Sequence, residues 1–488
     1  MKNLKTISSL KMILATAALT FLITGCGEND PENKGNHLPD VKILQNDKTV
    51  KVGTTVKLTS TALDVDGDAL TYKWSFSSKP TGSTATLTVS KKKETTFTVD
   101  KVGKYVVKFV ATDTLDAEGS DTVTITVIDK ACTSYTEISE DISADKTLDG
   151  CYKITRDVLG ISADIVLTIK PGSTLMFLEG GGINVDGALN AVGTAEKPIL
   201  FTAQQKTAGY WGAIKFRGSN DTRNAIAHAT IEYGGKGDDA SLRAVGNHGA
   251  DNRLKLSNIT IKHSASDGFE LEKRTKLDKF ENITSTKNAK TAGVVDMSVL
   301  EKLDATSDFT GNLGNDYIVV KEGDIEQSAT WKKLTVPVNI QRDIHLADNA
   351  DLTLEAGVKL VFNDGTKLST GPLGSLKAVG TKSEPIIFTG TQKTAGAWIG
   401  IIIGSNSTDN ILQNTVVEYA GSDGSALTLY THFSASSGAR VSVTASTFRN
   451  NSGYAIAMDD KEDSTYNKDI ESSNNFINNA DGTINYDD

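Results

Sequence analysis

Asp64, Asp66 and Asp68 stand on one short stretch, Asp64-Val-Asp-Gly-Asp68. Three hard oxygen donors on one loop suit calcium, and Asp113 is a fourth candidate ligand from a neighbouring loop. A helix–loop–helix calcium site would need a glutamate about twelve positions from its first ligand, and Ser75 stands there instead. The same residues also fit a plain turn, in which Asp side chains accept backbone N–H groups and Gly67 takes a positive φ. A second group is aromatic. Tyr210, Trp211 and Trp398 could stack on sugar rings if exposed, or fill a core if buried. Cys132 and Cys151 form an even pair, and in an exported chain they are a candidate disulfide. The six histidines show no metal-ligand spacing, and no Cys–His pair, nucleophile elbow or phosphate loop stands in the chain.

What must position these groups begins with an export segment. Lys2, Lys5 and Lys11 precede an apolar run from Met12 to Ile23, which is too short to span a bilayer. It ends in Ile23-Thr-Gly-Cys26, which resembles the lipobox of bacterial lipoproteins. The resemblance implies that Cys26 carries the lipid and becomes the mature N-terminus, with the membrane as a partner. Gly27 in place of Asp resembles sorting to the outer membrane. Glu28, Asp30 and Glu32 resemble surface-export signals, or are simply a solvated linker. Residues 27–39 have tether composition and reach at most roughly 45 Å. The net charge of −10 falls to −13 without the export segment, because that segment holds three lysines and no acid. Such a charge excludes the basic footprint that nucleic acid requires.

Residues 40–129 read as an immunoglobulin-like β-sandwich. Val56–Ala62, Leu70–Phe76, Thr95–Val99, Tyr105–Ala111 and Val123–Val127 each alternate between two faces, and Trp74 is the expected core aromatic. Asp64-Val-Asp-Gly-Asp-Ala-Leu-Thr-Tyr-Lys-Trp74, with Gly103-Lys-Tyr105 and Asp121–Val127, resembles the polycystic kidney disease (PKD) domain. One departure is that Trp74 is followed by Ser75-Phe76, without the Gly-Asp-Gly of many members. The resemblance implies a spacer or adhesion module.

From Cys132 to the end the chain is duplicated, with copies at about 147–327 and 329–488. Ala191–Trp211 and Ala378–Trp398 are identical at fourteen of 21 positions, at an offset of 187. Leu167–Gly172 pairs with Leu352–Gly357, Ile231–Tyr233 with Val417–Tyr419, and Ser266–Phe269 with Asn451–Tyr454. Short apolar runs such as Val166–Ile169, Leu175–Phe177 and Ile214–Phe216 suit coils that bury their apolar face only by stacking. Thr168–Gly172, Asn190–Thr194, Pro198–Thr202, Trp211-Gly212, Ile231–Gly235 and Phe448–Tyr454 look like the right-handed parallel β-helix repeats of bacterial surface lipoproteins. Asn450-Asn451, Asn474-Asn475 and Asn478-Asn479 could stack between coils or face solvent. Ser298–Asp304 is the best helical candidate, and it is short.

That fold class also contains pectate lyases and polygalacturonases. Asp238-Asp239, His248-Gly249 and Arg253-Leu-Lys255 resemble the polygalacturonase set, which implies Asp238, Asp239, His248 and Arg253 as catalytic candidates. The family's Asn-x-Asp is missing, and these residues fall within 18 positions rather than on successive coils. The second copy has Asp423, His432 and Arg440 in the corresponding stretch. Asp459-Asp-Lys-Glu-Asp463 holds the acids and lysine that a calcium-dependent lyase needs, or is a solvated loop. The expected protein is a monomeric, non-catalytic binder of glycan or protein in the outer membrane. The alternatives are a polysaccharide lyase or glycoside hydrolase, and a plain envelope stalk.

Overall fold

A computed structural model describes residues 36–128, 132, 134–246, 249–321, 324–430, 438–458 and 464–486. It is all-β: an immunoglobulin-like sandwich followed by a parallel β-solenoid of about twelve turns. The expected class stands.

The sandwich has seven strands: β1 (Asp40–Ile43), β2 (Lys48–Lys51), β3 (Thr55–Leu63), β4 (Thr71–Ser78), β5 (Glu94–Thr98), β6 (Gly103–Thr112) and β7 (Glu118–Ile128). One sheet orders them β1-β3-β5 and the other β2-β7-β6-β4. Alternation along β3 and β6 sends Val56, Leu58, Tyr105, Val107 and Phe109 inward, all buried. Trp74 is buried against Phe109 at 4.6 Å between ring centroids. The Tyr105 hydroxyl donates to Asp100 at 2.7 Å and accepts the Lys101 N–H at 3.0 Å. That bond ties the loop before β6 to the buried ring. Asp100 also accepts from the hydroxyls of Ser83 and Thr84. Ser83 above all, then Tyr105 and Thr84, hold its carboxyl well below the usual range against the opposing effect of burial.

The solenoid strands all pair in parallel. Inward positions are Leu, Ile, Val and Phe, and they stack into one cluster from Ile138 to Ile470. One thirteen-stranded sheet runs through both copies, from Leu159–Ile161 to Asn475–Ile477. In the first copy the other two faces are fused into one ten-stranded sheet. The fusion comes from long strands that turn the corner unbroken: Ala225–Glu232, Asn252–Lys262 and Thr275–Thr286. Each bends where His228, Asn258 or Asn282 takes a positive φ, a conformation Asn tolerates better than most residues. In the second copy the faces separate into seven- and six-stranded sheets.

The two copies do not share a phase. In the first copy Val166–Ile169 and Thr174–Phe177 lie on the fused sheet, and Ile183–Val185 lies on the through-running sheet. Their counterparts shift by one face. Asp351–Leu354 lies on the six-stranded sheet, Lys359–Phe362 on the through-running sheet, and Lys367–Thr370 on the seven-stranded sheet. The second copy is therefore turned about the solenoid axis by one face of three. The change falls where a one-turn helix, Met297–Leu300, capped by Asp296, interrupts the coils. The helix begins just before the expected Ser298–Asp304 segment and is only four residues long.

Candidate functional site

The repeated stretch forms the same corner twice. In the first copy Glu232 is buried and accepts the Thr202 hydroxyl at 2.7 Å. Lys206 and Lys262 lie 3.2 and 3.3 Å from its carboxylate. Lys206 also bonds Thr202 and sits 5.3 Å over the Tyr233 ring. The Trp211 indole donates to the Glu232 backbone carbonyl at 2.9 Å and stacks on Phe177 at 4.2 Å. In the second copy Glu418 accepts from Thr389 at 2.9 Å and from Arg449 at 2.7 Å. Lys393 bonds Thr389 and lies 5.2 Å over Tyr419. Trp398 donates to the Glu418 carbonyl at 3.0 Å and stacks on Phe362 at 4.2 Å. Burial pushes the Glu232 carboxyl up, but the Thr202 bond, Lys206 and Lys262 together hold it below its usual value. Burial lowers the Lys393 ammonium despite the pull of Glu418.

This geometry corrects the sugar-stacking candidates. Trp211 and Trp398 have no exposed surface, so neither offers a face to a ring. Of the three, only Tyr210 keeps partial exposure. The duplicated Thr, Lys, Trp and Glu-Tyr are the parts of a packed, charge-paired corner. Their joint recurrence in both copies was the signal in the sequence, but the partners of Glu232 and Glu418 are made only by folding.

The catalytic candidates are not brought together. Asp238 is exposed and pairs with Lys290 at 2.9 Å. Asp239 pairs with Lys215 at 3.1 Å and with Arg243. Lys215, Arg243 and Glu270 are cross-strand neighbours on the through-running sheet, and Arg243 reaches Glu270 at 2.7 Å. Asp239 thus belongs to a row of ion pairs along that face. Arg253 pairs elsewhere, with Asp278 at 2.7 Å. His248 lies outside the described residues, as do His432 and Asp459–Asp463, while Asp423 and Arg440 are exposed.

In the sandwich, one carboxylate oxygen from each of Asp64, Asp66 and Asp68 lies within 4.8 Å of the others. Asp64 Oδ1 accepts the backbone N–H of Asp66 at 2.9 Å and of Asp68 at 3.3 Å, and Gly67 has φ 83°. Asp113 is already occupied. Its Oδ1 accepts from Leu115 and Ala117, and its Oδ2 accepts the Asn36 side chain at 2.7 Å. Burial raises its carboxyl, and these donors bring it below the usual value.

Cys132 and Cys151 are joined in a disulfide, with Cα atoms 5.9 Å apart. Cys26 lies outside the described residues. Asn451 donates to Asn479 at 2.7 Å, Asn478 to Asn450 at 3.3 Å, and the Asn474 carbonyl accepts the Ser446 N–H. Asn450 and Asn451 therefore ladder with Asn478 and Asn479, whereas Asn474 bonds Ser446 rather than another asparagine and Asn475 is exposed.

A surface groove of about 360 Å³ opens where the copies meet, lined in part by Lys273, Asp296, Glu301, Asp324 and Glu326. A second, of about 400 Å³, shares Lys273 and Asp296 and extends to Glu270 and Lys321.

Residues 45–127 match a PKD-domain family model. Two solved structures are similar to this part of the chain. The PKD domain from KIAA 1837 protein is 17% identical with a TM-score of 0.16, covering 22% of this chain and 99% of that one. The PKD domain from human KIAA0319 is 18% identical with a TM-score of 0.18, with the same two coverages. No curated protein matches the chain.

Proposed function

We propose that this chain is a lipid-anchored protein of the bacterial outer membrane that binds glycan or protein at the cell surface and catalyses no reaction. A PKD domain joined to a parallel β-solenoid fits a surface adhesion or binding module. The observation that carries the reading is the separation of Asp238, Asp239 and Arg253 into different ion pairs on the solenoid surface. The lipobox-like Ile23–Cys26 and the acidic tether after it support the anchored address. The groove at the junction of the copies is the proposed ligand surface. Its carboxylates can accept sugar hydroxyls or pair with basic side chains, while Met297 and Ile325 add apolar lining.

The test is a glycan array and an immobilised envelope-protein screen on residues 27–488. Retention that is lost in Asp324→Lys/Glu326→Lys supports binding at the groove. Retention that survives this variant moves the ligand to another surface. Release of new reducing ends or unsaturated sugars contradicts the non-catalytic reading.

A further inference from the structure

A buried, incompletely satisfied carboxylate lies in the acidic turn of the PKD domain. Asp64 is only 7% exposed. Its Oδ1 is committed to two backbone N–H groups, and its Oδ2 is enclosed with no hydrogen-bond partner. A carboxylate oxygen shut away from water with no donor is costly unless a proton, a water or a cation completes it. Asp66 and Asp68 bring two further carboxylates within 4.8 Å, which multiplies the local negative charge. Asp66 is exposed and opens the cluster to solvent. His37 is bonded to Asp66: its backbone N–H donates at 2.8 Å and its ring nitrogen lies 3.1 Å from both Asp66 oxygens. Asp68 receives the Thr114 hydroxyl, at 3.1 Å.

We infer that Asp64, Asp66 and Asp68 form a calcium-type cation site, and that the cation competes with His37 for Asp66. The donors are all carboxylate oxygens on one short turn, and Asp66 is exposed. That set suits a hard cation of flexible coordination better than zinc, which selects nitrogen and sulfur, or magnesium, which demands near-ideal octahedral geometry. Asp113 is not needed as a ligand, because both of its oxygens already have donors. His37 lies near the end of the tether-composition stretch 27–39, so loading the site changes how the end of the tether docks on the domain.

Calorimetric titration of chelator-treated residues 27–488 with calcium chloride tests this, with magnesium chloride in parallel. One calcium site is expected, in the range of about 10⁻⁴–10⁻³ M typical of extracellular modules. The midpoint of PKD unfolding rises with calcium. Asp66→Asn/Asp68→Asn changes the solvent-facing ligands and leaves Asp64 to hold the turn. Its circular dichroism matches the parent, and its affinity falls by at least about tenfold. His37→Ala tightens calcium binding a fewfold. No heat and no shift at about 10 mM calcium, or binding undiminished in Asp66→Asn/Asp68→Asn, overturns the site. Weaker binding in His37→Ala overturns the competition.

Discussion

At the scale of single residues, the side chains that recur in both copies are the ones with structural partners. Trp211 stacks on Phe177 with no exposed surface, so Trp211→Ala should cost about 3–5 kcal/mol. Denaturant unfolding of the solenoid measures it, and a cost near zero would mean that the corner does not depend on the indole. Asp100 gives a pH prediction. Its folded value lies below the unfolded value of about 3.9. Its contribution is therefore present above that value and is lost as pH falls through the lower folded one. Asp100→Asn should destabilise the PKD domain at neutral pH, and the gap from the parent should narrow as pH falls from about 4 toward 2. A gap independent of pH would contradict the assignment. At this scale the sequence was legible by type more than by role. The repeat marked Trp211 and Trp398, but periodicity does not distinguish an indole under a coil from one on its face. Asp239 and Arg253 looked like one catalytic set because they are close in sequence. Coiling sends them to different partners, Arg243 and Asp278, which no spacing rule contains.

At the scale of elements, alternation in β3, β4 and β6 gave the sandwich strands and the burial of Trp74 directly, because each strand has one buried face. The solenoid strands were legible as short apolar runs. Their fusion into corner-turning strands was not, because it depends on positive φ at His228, Asn258 and Asn282. The Cys132–Cys151 bond staples the strand Cys151–Ile154 to the segment before the first coil. Closing a loop of this length contributes about 3 kcal/mol. Reduction, or Cys132→Ala/Cys151→Ala, should lower the unfolding midpoint of the first coils and leave the second copy unchanged. Hydrogen exchange resolved along the chain reads this, and uniform loss across both copies would contradict it.

For the whole molecule, the duplication predicted a continuous β-solenoid, and one sheet does run through both copies. The turn of one face between them was not legible, because near-constant offsets report the length of the repeat and not its angular phase. The turn has a functional consequence. Equivalent residues of the two copies point in different directions, so they cannot line one repeating groove, and the junction itself becomes the distinctive surface. The address is a prediction at this scale too. Cys26→Ala should release the chain from membranes into the soluble fraction, and mass spectrometry of the parent N-terminus should show the lipid on Cys26. A parent chain found soluble and unlipidated would remove the anchor. The most direct test of binding without catalysis is incubation of residues 27–488 with a panel of neutral and acidic polysaccharides, with and without calcium. Reducing ends and ultraviolet absorbance of unsaturated sugars are followed in solution while retention is followed on immobilised glycan. The account predicts flat traces for cleavage, and the same flat traces in Asp238→Asn and Arg253→Ala. Product release that disappears in either variant would contradict it and make the solenoid surface an active site.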